Sequence, residues 1–271
     1  MICYPNAKIN LGLKILSKRK DHFHNIDSFF LPIPIFDILE VNLVPDNTVE
    51  TQITYSGLNA NQITNDLVIR AYNLLKKDFL IGPVKIHLHK NIPFGAGMGG
   101  GSSDATFMLI LLNKLFDLKL NQSQLLDYSM TLGSDCPFFI FNCFSKVSSI
   151  GDVIKPISFS FKDYYIVVFK PQIHCSTKEV FEKYTLQADI GGQLDFNPNH
   201  VVWKRDLIND LEQVTFSIYP ELKKIKSYLY SEGALYASMT GSGSAIYGIF
   251  DHEPRIHARS NCWFWKGSLS S

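Results

Sequence analysis

The chain has 271 residues, 46% hydrophobic and 19% charged, with 26 Lys and Arg against 25 Asp and Glu for a formal net charge of +1. Disorder needs few apolar residues and a strong net charge, so this mix excludes it. Near neutrality gives no electrostatic case for a nucleic-acid or anionic-membrane partner, and the length suits one large domain or two small ones with a core that needs no staples.

Residues 1–8 contain no apolar h-region, so no signal peptide is expected. The densest apolar stretch, 107–112, is far too short to span a bilayer, and a cytoplasmic location is the expectation. Cys3, Cys136, Cys143, Cys175 and Cys262 are odd in number and form no CxxC, which predicts reduced thiols rather than a disulfide or zinc framework. Along 7–16, Ile9, Leu11, Leu13 and Ile15 alternate with Lys8, Asn10, Gly12 and Lys14. That period predicts a strand with one apolar and one polar face, Lys8 and Asn10 sharing the polar side. Further strands are predicted over 37–44 and 50–55. A helix is predicted over 65–77, where Leu67, Ala71 and Leu74 fall at helical spacing. Val84, Ile86 and Leu88 alternate with Lys85, His87 and His89, another half-buried strand. The two histidines read as part of its polar face rather than as a metal pair.

A glycine-rich run, 95–101, follows, and then an almost wholly apolar segment, 105–116, predicted as a buried helix capped by Ser102, Ser103 and Asp104. A second helix, 123–132, precedes Gly133-Ser134-Asp135-Cys136-Pro137. The pattern breaks near 150–162, which suggests domains over 1–155 and 156–271. Beyond it lie a predicted strand at 164–169 and helices at 177–184 and 220–231, the last opened by Pro220 and stopped by Gly233. Strands at 234–239 and 245–250 are joined by Thr240-Gly241-Ser242-Gly243-Ser244. The tail, 261–271, carries no pattern and is expected to be partly disordered. Interleaved helices and alternating strands predict an α+β fold of antiparallel sheets, each with one covered face.

Five glycines among residues 95–101 let the backbone bend sharply and approach a ligand, and the amides opening the next helix can then meet an anion. The run therefore reads as a phosphate cradle rather than a surface turn. It is not a Walker A loop, because GxxxxGK[ST] is absent. A Rossmann unit would need a second strand ending in an acid, and a protein kinase would need HRD and DFG motifs; neither is found. Asp135 is chemically suited to accept a proton, and from the residues alone a capping role stands level with that one.

The run Pro93-x-Gly-x-Gly-x-Gly-Gly-Gly-Ser-Ser-Asp104 resembles the ATP loop of the GHMP small-molecule kinases. The blocks at 6–12, 23–28, 132–137 and 240–244, in the same order, resemble those members that phosphorylate a cytidine-diphosphate sugar alcohol on the non-mevalonate route to isoprenoids. The resemblance implies a two-domain GHMP-kinase fold with ATP and substrate in the cleft between domains. It implies Lys8 and Asp135 as the catalytic pair. It implies Pro93, Phe94, Gly95, Ala96, Gly97, Met98, Gly99, Gly100, Gly101, Ser102 and Ser103 as the ATP loop. Asn10, Phe23, His24 and Phe181 match substrate positions, Phe23 and Phe181 offering aromatic faces to cytosine. Mg²⁺ is expected with ATP, with Ser103 a candidate contact and no dedicated carboxylate ligand. A monomer or homodimer is expected. The family has Gly-Tyr-His where this chain has His22-Phe23-His24, and an adenine-side Asn where this chain has Asp66 preceded by Asn65. Other readings of the same residues are a GHMP kinase for another small alcohol and a nucleotide-binding module without catalysis.

Overall fold

The computed structural model describes residues 1–45, 50–58, 66–185 and 193–270. The chain divides into two compact units, each assembled from separated segments. The first contains Met1–Ala7, Ile35–Phe94 and Gly99–Asn142; the second contains Lys8–Pro34, Gly95–Met98 and Cys143–Ser271. Strand pairing draws residues 8–34 into the unit that also holds residues 95–98 and 143–271.

In the first unit, β1 (Ile2–Cys3), β4 (Ile38–Leu43), β6 (Val84–Lys90) and β5 (Gln52–Gly57) form a sheet in the order β1-β4-β6-β5. Pairing is antiparallel except for β5 with β6. Helices α1 (Leu67–Asp78), α2 (Gly100–Leu115), α3 (Gln122–Leu132) and α4 (Phe138–Phe141) complete it. The apolar residues of β4 and β6, among them Leu39, Val41, Ile86 and Leu88, share one core with Tyr72, Met108, Leu109 and Leu112. On the other face of β6, His87 meets Thr54 and Ser56 at 2.8 and 2.9 Å, and His89 meets Ser56 at 2.8 Å. Asp66 caps α1 through the Val68 amide and accepts from the Tyr55 hydroxyl, which accounts for its side chain without adenine; Asn65 lies outside the described residues.

In the second unit, one sheet runs β2-β3-β7-β8: β2 (Asn6–Lys18), β3 (His24–Phe36), β7 (Ser145–Ser149) and β8 (Val153–Pro156). The first two residues of β2 and the last two of β3 belong to the first unit. Another sheet runs β10-β11-β9-β12: β9 (Tyr165–Pro171), β10 (Tyr236–Met239), β11 (Ile246–Phe250) and β12 (Cys262–Ser268). Helices α5 (Thr177–Lys183), α6 (Trp203–Asp206), α7 (Leu211–Ile218) and α8 (Pro220–Ser231) lie in the same unit. Leu13 and Ile15 pack with Val167, Phe169, Leu211, Leu222 and Phe250.

Three expectations are corrected. Most of the tail, expected to be partly disordered, forms a strand: β12 pairs with β9 from Cys262 to Ser268. Helix α2 starts at Gly100, not 105, so Ser102, Ser103 and Asp104 lie inside it and the cap is Gly99 with no side-chain bond. β2 is not solvated on its polar side, since Asn6 through Leu13 are all buried, as are all of β10 and β11. Among the described residues no helix is long and apolar enough to cross a membrane.

Candidate active site

The glycine run alternates two kinds of residue. Gly95, Gly97 and Gly99 take φ of +59°, +74° and +69°, the left-handed region that penalises side chains, while Ala96 and Met98 between them are buried anchors. In the second unit, Gly95–Met98 is stitched to two other segments. The Lys8 amide donates to Met98 O at 3.0 Å, and the Ser244 and Ala245 amides donate to Gly95 O and Ala96 O at 3.2 Å. Gly97 lies so close to the 240–244 loop that a Cβ there would stand 2.1 Å from Thr240 O.

The Lys8 side chain is 97% buried, its exposure being 3%. Its ammonium donates to Asn10 Oδ1 at 2.7 Å and lies 4.3 Å over the Phe30 ring. Asn10 is held in turn: Nδ2 donates to Ser28 Oγ at 3.1 Å, and its backbone amide donates to Thr240 Oγ1 at 3.2 Å. The Thr240 hydroxyl has one proton to share between Asn10 Oδ1 at 3.1 Å and Gly97 O at 2.9 Å. Asn10 therefore sits as a buried holder of Lys8, its carbonyl oxygen already accepting from the protein. Thr240 is the residue that sequence reasoning left without a role, although the block at 240–244 was the signal that could have found it.

Also in the second unit, the exposed Phe23 follows His22, which occupies the left-handed region at φ +68°. That is where the family's glycine would sit without strain. The aromatic pair in contact is His24 with Phe181, 5.0 Å between centroids, rather than Phe23 with Phe181 facing across a gap. Burial, with Lys18 nearby, holds His24 below the ordinary imidazole range.

In the first unit, α2 gives its opening N–H groups no intrahelical partner, the first backbone bond being Ser103 N–H to Gly99 O at 2.9 Å. The Ser103 hydroxyl is fully buried and finds no hydrogen-bond partner among the described residues. An orphaned hydroxyl in the first turn, beside amides that lack an intrahelical partner, fits a polyphosphate and its magnesium. Among the described residues no group of three or more His, Cys, Asp or Glu could hold a metal ion. The half-buried Asp135 lies in the turn between α3 and α4. That turn packs on α2: Cys136 O accepts from Thr106 Oγ1 at 2.9 Å, and a Cβ on Gly133 would stand 3.9 Å from Ser102 Oγ. Burial pushes the Cys136 thiol up to about 11, against the pull of the Ser102 and Thr106 hydroxyls. The N-cap position of α4 is Pro137, which makes no side-chain capping bond of its own.

Comparison with known proteins bears on the family and the fold. Residues 66–143 match the GHMP kinases N terminal domain and residues 199–263 match the GHMP kinases C terminal domain. The 4-diphosphocytidyl-2-C-methyl-D-erythritol kinase of Bacteroides thetaiotaomicron is 42% identical, with 99% of this chain and 100% of that one covered. The protein of the same name from Parabacteroides distasonis is 43% identical, with both chains covered in full, at 100%. A solved 4-(cytidine 5'-diphospho)-2C-methyl-D-erythritol kinase superimposes with a TM-score of 0.76 at 30% identity, covering 92% of this chain and 89% of that one. Mevalonate kinase of Methanococcus jannaschii shares the fold alone, with a TM-score of 0.69 at 12% identity over 92% of this chain and 90% of that one. The chain belongs to the 4-diphosphocytidyl-2-C-methyl-D-erythritol kinase family of the GHMP kinases.

Proposed function

We propose that the chain transfers the γ-phosphoryl group of ATP to the 2-hydroxyl of 4-diphosphocytidyl-2-C-methyl-D-erythritol, a cytoplasmic step of the non-mevalonate pathway to isopentenyl diphosphate. The observation that carries this reading is the buried Lys8 ammonium fixed by Asn10 at 2.7 Å, in a chain whose relatives of that name match from end to end. A buried charge is costly and needs a use. Phosphoryl transfer, dominated by positioning and charge stabilisation, gives it one.

In this reading the substrate hydroxyl gives its proton to Asp135 as its oxygen attacks the γ-phosphorus. Lys8 stabilises the charge on the migrating group. The first-turn amides of α2 hold the triphosphate. Magnesium bound with ATP would neutralise phosphate charge, with the Ser103 hydroxyl as its protein contact. Cytosine covers the exposed Phe23 ring, with the His24–Phe181 pair as a neighbouring surface.

The test is ADP release by the purified chain with a panel of acceptors: the cytidine-diphosphate methylerythritol, mevalonate and homoserine. Turnover is expected only with the first, with one new phosphomonoester in the ³¹P spectrum. Turnover confined to an acceptor without a nucleobase would replace the substrate, and ATP binding with no turnover on any acceptor would favour a non-catalytic module.

A further inference from the structure

The glycine run supplies conformational freedom, but freedom alone does not fix where its ends stand. Beneath those ends lies a buried ionic triad. Lys90, the last residue of β6, has an exposure of 1%, and its ammonium meets Asp37 and Asp104, the latter at 2.5 Å. Asp37 has a second duty: its other oxygen accepts from the Asn91 amide at 2.6 Å and the Ile92 amide at 2.8 Å, just before the loop. Asp104 stands in the second turn of α2, just after it. The opening of that helix presses on the same spot, since a Cβ on Gly100 would stand 2.9 Å from Ile92 Cγ2 and 3.5 Å from Lys90 Nζ. All these residues lie in the first unit.

Buried ion pairs are weak sources of stability, because desolvation consumes the Coulombic gain and apolar packing of the same volume does as well. What a triad provides that apolar side chains do not is a fixed geometry shared by three backbone segments. We propose that Lys90, Asp37 and Asp104 are positioning residues that clamp the strand entering the glycine run and the helix leaving it to one buried ammonium, presetting the first turn of α2 for the nucleotide's phosphates.

Two carboxylates on one ammonium leave one negative charge in excess. Burial, reinforced by Asp37 and opposed by Lys90, holds the Asp104 carboxyl well above the usual range. An amide at position 104 therefore keeps the contact and loses nothing essential.

The inference rests on ATP being the donor, so the test reads ATP binding separately from turnover. The full-length chain is compared with Asp104→Asn and Asp104→Ala for calorimetric ATP affinity, the KM of each substrate, kcat and thermal midpoint. Asp104→Ala is expected to weaken ATP about tenfold, a loss of about 1.4 kcal/mol, with the acceptor KM within twofold. Asp104→Asn is expected to restore wild-type ATP affinity. Should Asp104→Ala fail to fold, Asp104→Ser, one bond short of Lys90, carries the same comparison. A folded Ala or Ser variant with wild-type ATP affinity would overturn the inference, as would an Asn variant as weak as the Ala one. Absence of turnover in the wild type would instead reject the proposed reaction and leave the ATP-affinity comparison to judge the clamp.

Discussion

A lysine on the polar side of an alternating strand is ordinarily solvated, with its stem on the surface and its charge in water. Lys8 is buried because Asn10, Ser28 and Thr240 satisfy one another and leave the ammonium a carbonyl oxygen to hold. The period of the strand gave the side on which Lys8 projects. It could not give burial, because the partner that closes the network stands 230 residues away. Asp135 was legible as a proton acceptor, with a capping role standing level beside it, because one residue in a turn carries no signal that separates the two. Lys8→Ala and Asp135→Asn are each expected to lower kcat at least ~10²-fold, the scale of general acid–base catalysis, with ADP release and thermal midpoints measured together. Near-normal turnover of either variant would remove that residue from the reaction. Phe23→Ala belongs to a different class. Loss of a base-stacking ring costs roughly 1–3 kcal/mol, so the acceptor KM should rise about tenfold with kcat nearly unchanged. An unaltered KM would leave His24 and Phe181 as the aromatic surface. That pairing escaped sequence reasoning because rings that meet from β3 and α5 have no signature in spacing.

Elements with one strong internal signal were read well. α8 spans Pro220–Ser231, as its opening proline and the glycine beyond it predict. α2 was read as buried from its apolar composition, but its start was misplaced because Ser102, Ser103 and Asp104 look like caps. In the fold Gly99 caps and Asp104 instead reaches Lys90. β12 was missed altogether. Its residues, Cys262–Ser268, do not alternate in polarity, and all seven are half-buried at the edge of a sheet. Only the strand it pairs with, β9, specifies it. A chain ending at residue 261 would uncover the β9 edge and remove Phe264, which packs 5.1 Å from Phe169. Burial of one large apolar side chain contributes ~1.5–3 kcal/mol, so this truncation should lower stability by at least ~2 kcal/mol, read as a shifted urea midpoint. An unshifted midpoint would mean that β12 adds nothing to the sheet.

At the scale of the whole molecule, a break in local pattern near residue 155 marks a place where the chain changes character, not where a core ends. Strands pair across any sequence distance, and local pattern is blind to that. The second unit takes in residues 8–34 because β2 serves its interior. Leu13 and Ile15 pack with Val167, Phe169, Leu211 and Leu222. The same strand satisfies backbone groups of a remote segment: Leu13 N–H donates to Ile208 O at 2.9 Å, Asp210 N–H to Leu13 O at 2.8 Å, and Ile15 N–H to the Asp210 carboxylate at 2.9 Å. A fragment of residues 156–271 keeps β9 to β12 and α5 to α8 but loses every one of these partners. Buried amides and carbonyls left unpaired cost about 1–3 kcal/mol each, and the vacated core adds more. Against a total stability of ~5–15 kcal/mol for a typical domain, such losses leave little. The fragment is therefore expected to unfold in urea without a cooperative transition and to give a featureless near-ultraviolet circular dichroism spectrum, while the intact chain shows both. A sharp transition in the isolated fragment would mean that its core closes without β2, and that the chain folds as the two contiguous halves its local pattern suggests.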